Sequence, residues 1–244
     1  AGPQLLMSCC SYSGAGSDTA SGNGVGLAAT VGEAAACWDV CVGVNCGAKV
    51  TVGKVTAFSV TMGAGGTSRT GTYETAVEIA ERTNRPVTAH LTAIGLSTNQ
   101  AMETADALWS AGITRVLALR GDALTPNNQP SLSGFKYASD LVRALADQHR
   151  FEISVAAYPE KHPEADDLDV DIDHLEEKLD AGATRAYCQF VLDPSAYGRF
   201  LDKCSERGIT ADIIPGVMPL DGWSRLKRFA KKTETKVPLW LSRL

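Results

Sequence analysis

No run of about 18 consecutive apolar residues occurs in the 244-residue chain, so the sequence offers no helix long enough to cross a bilayer. There is no P-loop, no H-E-x-x-H pattern and no Ser-His-Asp order, which removes the common signatures of nucleotide triphosphatases, zinc proteases and serine hydrolases. No basic stripe is present. The net charge is −5 with acids and bases interspersed, which argues against nucleic acid and against an anionic membrane surface. No basic segment precedes the first apolar residues, so a signal peptide is not expected. Seven cysteines, an odd number, are spread unevenly, with Cys9, Cys10, Cys37, Cys41 and Cys46 early and Cys188 and Cys204 alone. That usage fits reduced thiols in the cytoplasm better than a disulfide framework. The Cys37, Cys41, Cys46 spacing matches no zinc pattern, and no metal site is expected.

What is present divides in two. Residues 1–50 hold nine of the 23 glycines but only four charged residues, Asp18, Glu33, Asp39 and Lys49. SGAGSDTASGNGVG (13–26) is Gly/Ser-rich, like a linker, and gives no proper dinucleotide fingerprint. Residues 1–54 therefore read as an irregular, poorly ordered Gly/Ala/Cys-rich segment, and the composition change near residue 50 is the mark a frame-shifted start would leave. Residues 55–244 read as one regular domain, within the size of a single α/β barrel.

In that domain strands alternate with helices. VTAFSVTM (55–62), PVTAHLTAI (86–94), TRVLALRGD (114–122), ISVAA (153–157), RAYCQFVL (185–192) and ADIIPGVM (211–218) have strand character. Each is followed by a helical pattern, near 72–84, behind Ser97, over 137–148, through Ile172, Leu175 and Leu179, near 194–207 and near 221–233. Ser97-x-x-Gln100 has the form of a capping box. Alternation without hairpin signals predicts a parallel sheet with helices outside. A doubly wound sheet satisfies this, and so does a (β/α)8 barrel. The barrel is favoured because polar residues recur at the strand ends: Thr61, His90, Arg120-Gly121-Asp122, Tyr158 to His162, and Gln189. In a barrel those ends converge on one working face.

Each polar group has a structural and a functional reading. Arg120 and Asp122 either pair to close a turn or grip a phosphate and a heterocycle, with Gly121 allowing close approach. His90 is a satisfied core histidine or a ligand contact. His162, between two prolines, is a turn residue or an oriented ring. Asp171, His174 and Lys178 share one helical stripe, either solvated or turned to a ligand. Gln189, inside an apolar strand, needs partners, from the core or from a substrate amide. Tyr158 offers a stacking ring.

HLTAIG, LALRGD, YASDLV, ISVAAYPEKHPEA, DAGATRAYCQF and IIPGVMPL, in this order and spacing, resemble the methylenetetrahydrofolate reductase family of the bacterial flavoprotein type, over about residues 55–240. The resemblance implies a (β/α)8 barrel, with FAD reduced by NADH or NADPH and then reducing 5,10-methylenetetrahydrofolate to 5-methyltetrahydrofolate, in one-carbon metabolism and methionine biosynthesis. Carried over by position, Thr61 touches nicotinamide. Met62, Ala64, His90, Arg120, Gly121, Asp122, Ala138, Tyr158, His162, Ala165, Asp171, His174 and Lys178 line FAD. Asp122 and Gln189 serve the reacting end, Asp122 near flavin and folate, Gln189 at folate and nicotinamide in turn. Arg225 falls near a folate-contacting position. A homo-oligomer is implied.

The sequence departs from the family at several points. Met62 and His174 stand where the family usually has tyrosine and often asparagine. The F-E-F-F-P-P strand with its general-acid glutamate has no counterpart in residues 1–54, where Glu33 in GEAAAC is the only glutamate. The last barrel strand is not found before Leu244, so the barrel is expected to be incomplete at its first and eighth strands. Two rivals follow: an impaired flavin-binding fragment with exposed strand edges, or another phosphate-ligand barrel enzyme such as a Schiff-base aldolase, against which no lysine lies in a strand after residue 55.

Overall fold

The structure is a computed structural model that describes residues 5–9, 27–31, 55–62, 69–121, 133–217, 222–233 and 235–243. Six strand–helix units run from residue 55: β3 (Val55–Val60) and α1 (Arg69–Thr83), β4 (Val87–Thr92) and α2 (Thr98–Ser110), β5 (Arg115–Leu119) and α3 (Ala138–Gln148), β6 (Glu152–Ala157) and α4 (Leu168–Asp180), β7 (Arg185–Phe190) and α5 (Pro194–Glu206), β8 (Asp212–Val217) and α6 (Trp223–Thr233). Each strand from β3 to β8 pairs in parallel with the next. The result is an α/β fold with a six-stranded parallel sheet curled as a half barrel and helices between the strands.

Two further strands precede them, β1 (Leu5–Cys9) and β2 (Leu27–Val31). They fall in the segment whose sequence shows no strand period, where two short runs, LLMSC and LAATV, stand in Gly/Ser-rich surroundings that read as linker. β1 pairs with β2 and β2 with β3, both antiparallel, and β1 lies parallel to β8. The strand order thus returns on itself. From β3 to β8 the strands are parallel, as the alternation predicts. β1 and β2 add antiparallel pairs, and the outer edges of β3 and β8, exposed on the fragment reading, are hydrogen-bonded to β2 and β1. The rest of residues 1–54, including Glu33, lies outside the described residues.

Strand parity sorts the side chains. In β3 to β7 one alternating set, Phe58, Val60, Ala89, Leu91, Val116, Ala118, Ile153, Val155, Ala186 and Cys188, is buried with residues of the helices. Leu141, Leu145, Ile172, Leu175 and Phe200 from α3, α4 and α5 complete that layer, all almost fully buried. The alternate set faces the concave side, where Leu117, Tyr187 and Ile214 form a small layer of their own, as inward residues of a curled sheet do.

Local chemistry fixes the register. Ser97 caps α2: its hydroxyl accepts the Gln100 N–H at 3.2 Å, and Gln100 Oε1 accepts the Ser97 N–H at 3.0 Å, a box worth about 1 kcal/mol. Asp167 and Asp193 cap α4 and α5 in the same manner. At the opposite end of the sheet the first residues of four neighbouring strands alternate in charge. Glu152 takes Arg115 at 2.8 Å and Arg185 at 2.5 Å, and Arg185 reaches Asp212 at 3.5 Å. This lateral chain of ion pairs holds the strand starts in step and leaves the other end for chemistry.

Candidate active site

Parallel strands put all their carboxyl ends on one rim, and the polar side chains of the sequence collect there. Parity turns Ser59 and His90 to the concave side, and Ser59 Oγ lies 2.6 Å from His90 Nε2. Burial drives the His90 pKa down from 6.5 to about 4, so the imidazole is neutral at physiological pH. Beyond it the Thr92 hydroxyl donates to the Met62 sulfur at 3.8 Å. Met62 thus packs against the neighbouring strand end. The Thr61 carbonyl accepts the hydroxyl of Thr72 at 3.1 Å, which ties the rim to α1.

After β6 the chain makes a tightly bonded loop. Lys161 has φ +75°, a left-handed conformation that costs a non-glycine residue energy. It is held there by its own ammonium, which donates to the carbonyls of Ala165 at 2.7 Å and His162 at 3.2 Å. The Ala165 N–H closes a turn onto the His162 carbonyl at 3.0 Å. His162 Nδ1 accepts the Glu164 N–H at 3.1 Å, so the neutral ring carries its proton on Nε2. Burial lowers the His162 pKa more than the nearby carboxylates raise it, so the ring is neutral near pH 7. Tyr158 meets His162 edge to face with centroids 4.7 Å apart.

The loop is anchored on both sides. Arg120, just past β5, forms a two-pronged pair with Glu164 at 2.5 and 2.7 Å. This pair holds the Glu164 carboxyl below its ordinary pKa. On the other side, Asp171 on α4 accepts the His162 N–H at 3.0 Å. Its side chain is buried, and desolvation raises its pKa against the opposing pull of that hydrogen bond and of Lys178. Lys178, about two turns further along α4, donates to the Ala156 carbonyl at 2.7 Å. Desolvation lowers its pKa to about 8, so it remains a cation at neutral pH. One continuous set of contacts therefore runs from β5 through the β6 loop and α4 back to β6.

Gln189 sits near the end of β7, where the pairing with β8 slips: Tyr187 faces Ile214 but Phe190 faces Gly216. β7 advances three residues while β8 advances two, which is a bulge. Gln189 Oε1 accepts the Phe190 N–H at 3.0 Å. The amide lines a cleft with Tyr158, Pro159, Lys161 and Asp193.

The structure thus brings together Arg120, Tyr158, His162, Ala165, Asp171 and Lys178, with His90 and Met62 along the rim and Gln189 across the cleft. Gly121, at φ +97°, packs its backbone within 3.4 Å of the Thr92 and Ile94 side chains, measured to where a Cβ would sit. Ala138 opens α3 and is half-buried. His174 departs from the stripe: it lies on the exposed face of α4, 3.5 Å from Glu177. Around α4 it is offset by about 60° from Asp171 and about 40° from Lys178, which is enough to turn it to solvent. Ala64, Asp122 and the Arg225 side chain lie outside the described residues. Sequence reasoning singled out neither Glu164, Ser59, Lys161 nor the Pro215-Gly216 pair. Ser59 is legible as the inward residue opposite an inward histidine; the pairing of Arg120 with Glu164 across 44 positions is not.

The fold and this rim define an α/β protein with a polar, partly cationic site at the carboxyl ends of a parallel sheet. Residues 46–244 match the family model described as methylenetetrahydrofolate reductase, and the chain belongs to that family. It is 42% identical over 184 residues to the 5,10-methylenetetrahydrofolate reductase of Pectobacterium carotovorum subsp. carotovorum, covering 75% of this chain and 60% of that protein. With the enzyme of the same name from Escherichia coli strain K12 it shares 40% identity over 186 residues, 76% of this chain and 62% of the other. The chain spans about three-fifths of the length of these relatives.

Proposed function

We propose that the chain acts in the reduction of 5,10-methylenetetrahydrofolate to 5-methyltetrahydrofolate, with FAD as the bound cofactor and NADH or NADPH as the hydride source. The observation that carries this reading is the unbroken contact set from Arg120 through Glu164, His162 and Asp171 to Lys178. It places two cations, a neutral imidazole donor and an aromatic edge on one rim. The residues fit a dinucleotide. Lys178 is a cation held in a poorly solvated place with one described acceptor, the Ala156 carbonyl, for three donor hydrogens. An anionic phosphate offsets that desolvation. Arg120, whose fork is held by Glu164, adds a second positive charge to the rim.

When bound, FAD supplies the hydride chemistry, taking two electrons from the nicotinamide and passing them to the folate. The protein's part is to bind and orient. His162 Nε2–H and the Gln189 amide are the neutral donors on the rim, and the buried His90–Ser59 pair keeps the concave wall beneath them fixed. By the family resemblance, Asp122 and Gln189 serve the reacting end, and Thr61, Ala64, Gly121, Ala138 and Ala165 pack around the ligand. Residues 55–244 are the catalytic domain on this reading, and a homo-oligomer in the cytoplasm is the expected form. Cys188 and Cys204, buried and unpaired, suit a reducing compartment. The aldolase reading fares worse, because β3 to β8 carry no lysine to form a Schiff base.

Anaerobic titration of the FAD-loaded protein tests the proposal. NADH or NADPH should bleach the flavin band, and methylenetetrahydrofolate should restore it. A protein that binds FAD but is bleached by neither nucleotide would instead be an impaired flavin-binding remnant.

A further inference from the structure

We propose that Pro215 and Gly216 on β8 are positioning residues that build the β7 bulge and thereby aim the Gln189 amide. The proposal rests on the reading of Gln189 as a nicotinamide and folate contact. Neither residue touches a ligand on that reading; both act through the neighbouring strand.

β7 takes three steps, Tyr187 to Phe190, where β8 takes two, Ile214 to Gly216. Such bulges are rare between parallel strands and often sit beside active sites, where they re-aim a side chain. Pro215 is the residue left inside the slip. It has no N–H to donate to β7, and proline is tolerated within a sheet at a bulge because no ladder bond is lost there. Gly216 provides the space. A Cβ on it would lie 2.5 Å from the Cys188 carbonyl oxygen and 3.3 Å from the carbonyl carbon and oxygen of Gln189. Those are backbone atoms and cannot swing away as a side-chain end would. The φ of Gly216 is outside the left-handed region, so the requirement is for room and not for an unusual conformation.

Past the bulge, the Val191 N–H takes up the Gly216 carbonyl at 2.9 Å and pairing resumes. Within it, Gln189 Oε1 folds onto the Phe190 N–H at 3.0 Å. That bond turns the oxygen toward the backbone and leaves both NH2 hydrogens for a ligand. A regular β7 opposite a β8 without proline and glycine would bring Cys188 and Gln189 back into the ladder and remove the geometry that lets the amide bend onto its own backbone.

Four variants test this: Gln189→Ala, Gly216→Ala, the double variant, and Pro215→Ala as the milder probe should Gly216→Ala fold poorly. The readouts are the flavin spectrum, the Kd of NADH from the concentration dependence of anaerobic bleaching, and hydrogen exchange at the Phe190 amide. The flavin spectrum should be retained throughout. Gln189→Ala and Gly216→Ala should each raise the NADH Kd by about tenfold, as loss of one good hydrogen bond does. The double variant should stay within about twofold of either, because residues acting as a unit are not additive. Phe190 exchange should quicken in both single variants, and in Pro215→Ala to a smaller degree. Multiplying effects in the double variant, or wild-type NADH affinity and Phe190 exchange in Gly216→Ala and Pro215→Ala, would overturn the proposal. If the wild-type protein is not bleached at all, the functional reading fails. The exchange rates still decide the bulge: unchanged Phe190 exchange in the Gly216 and Pro215 variants overturns it on its own.

Discussion

Asp171→Ala is expected to lower the unfolding free energy by about 2 kcal/mol and to weaken FAD binding by at least about tenfold, since two part-buried partners, the His162 N–H and the Lys178 ammonium, lose their compensation at once. Asp171 is only 8% exposed, and its carboxylate accepts the His162 N–H while its charge favours the cationic form of Lys178. An unpaired buried N–H costs about 1–3 kcal/mol, and an uncompensated buried ammonium adds to that. The loop that carries Tyr158, His162 and Ala165 would then lose its tie to α4 and keep the Lys236 N–H on Glu160 at 2.7 Å and the Arg120–Glu164 pair. That pair is part-exposed, with Glu164 half in solvent, and exposed pairs contribute little. Asp171→Asn keeps an acceptor for His162 and should recover part of the stability but not the electrostatic share. Urea unfolding and a fluorescence titration with FAD measure both. Wild-type stability and FAD affinity in Asp171→Ala would show that the loop is held by something else.

The second large effect is an acid limb in the stability curve that belongs to His90. Its pKa is about 4 in the folded protein against 6.5 when solvated. Between those values the unfolded chain binds more protons than the folded one, so stability from this group is fully present above pH 6.5 and is lost as pH falls toward 4. The linkage amounts to about 2 kcal/mol at pH 5 and about 3 kcal/mol at pH 4. The Ser59 hydroxyl, 2.6 Å from Nε2, can donate to it or accept from it, so the limb comes from the burial of the ring. His90→Gln keeps a hydrogen-bonding group without a titration and should flatten the limb by that amount. Glu164 has a depressed pKa and loses its contribution at lower pH; His162, also lowered by burial, adds a loss of the same sign below 6.5, which is common to both proteins and cancels in the comparison. Unfolding free energies at pH 7 and pH 5 for the two proteins decide the matter, and equal losses would show that His90 is solvated.

Much of the site was legible because it sits at strand ends. Alternation in VTAHLT and RVLAL marks which residues face inward, and a polar residue where an apolar strand stops is a local signal. The box at Ser97 and Gln100 and the caps at Asp167 and Asp193 are local as well, and α2, α4 and α5 begin where those residues say. Helical spacing groups Asp171, His174 and Lys178, but it does not tell the inner edge of a stripe from its outer edge. His174 stands outside, beside Glu177, because the arc that faces β6 is narrower than the stripe. The pairing of Arg120 with Glu164 and of Asp171 with the His162 N–H depends on loop closure, which no periodicity reports. The bulge was hidden for a related reason. IIPGV reads as a strand, and only the register against RAYCQF shows why it tolerates proline. The antiparallel β1 and β2 are five residues each, and the Gly/Ser-rich stretch between them, 10–26, is longer than the roughly two to five residues that signal a hairpin.

The central claim is that the rim from Arg120 to Lys178 is a flavin site. The measurement that tests it most directly is a visible-absorption titration of the purified chain with FAD, followed by gel filtration to remove unbound cofactor. The account predicts a resolved flavin band near roughly 450 nm that stays with the protein, as a fold that positions a redox cofactor requires, and that is lost in Asp171→Ala. A folded protein that remains colourless after FAD is added would contradict it.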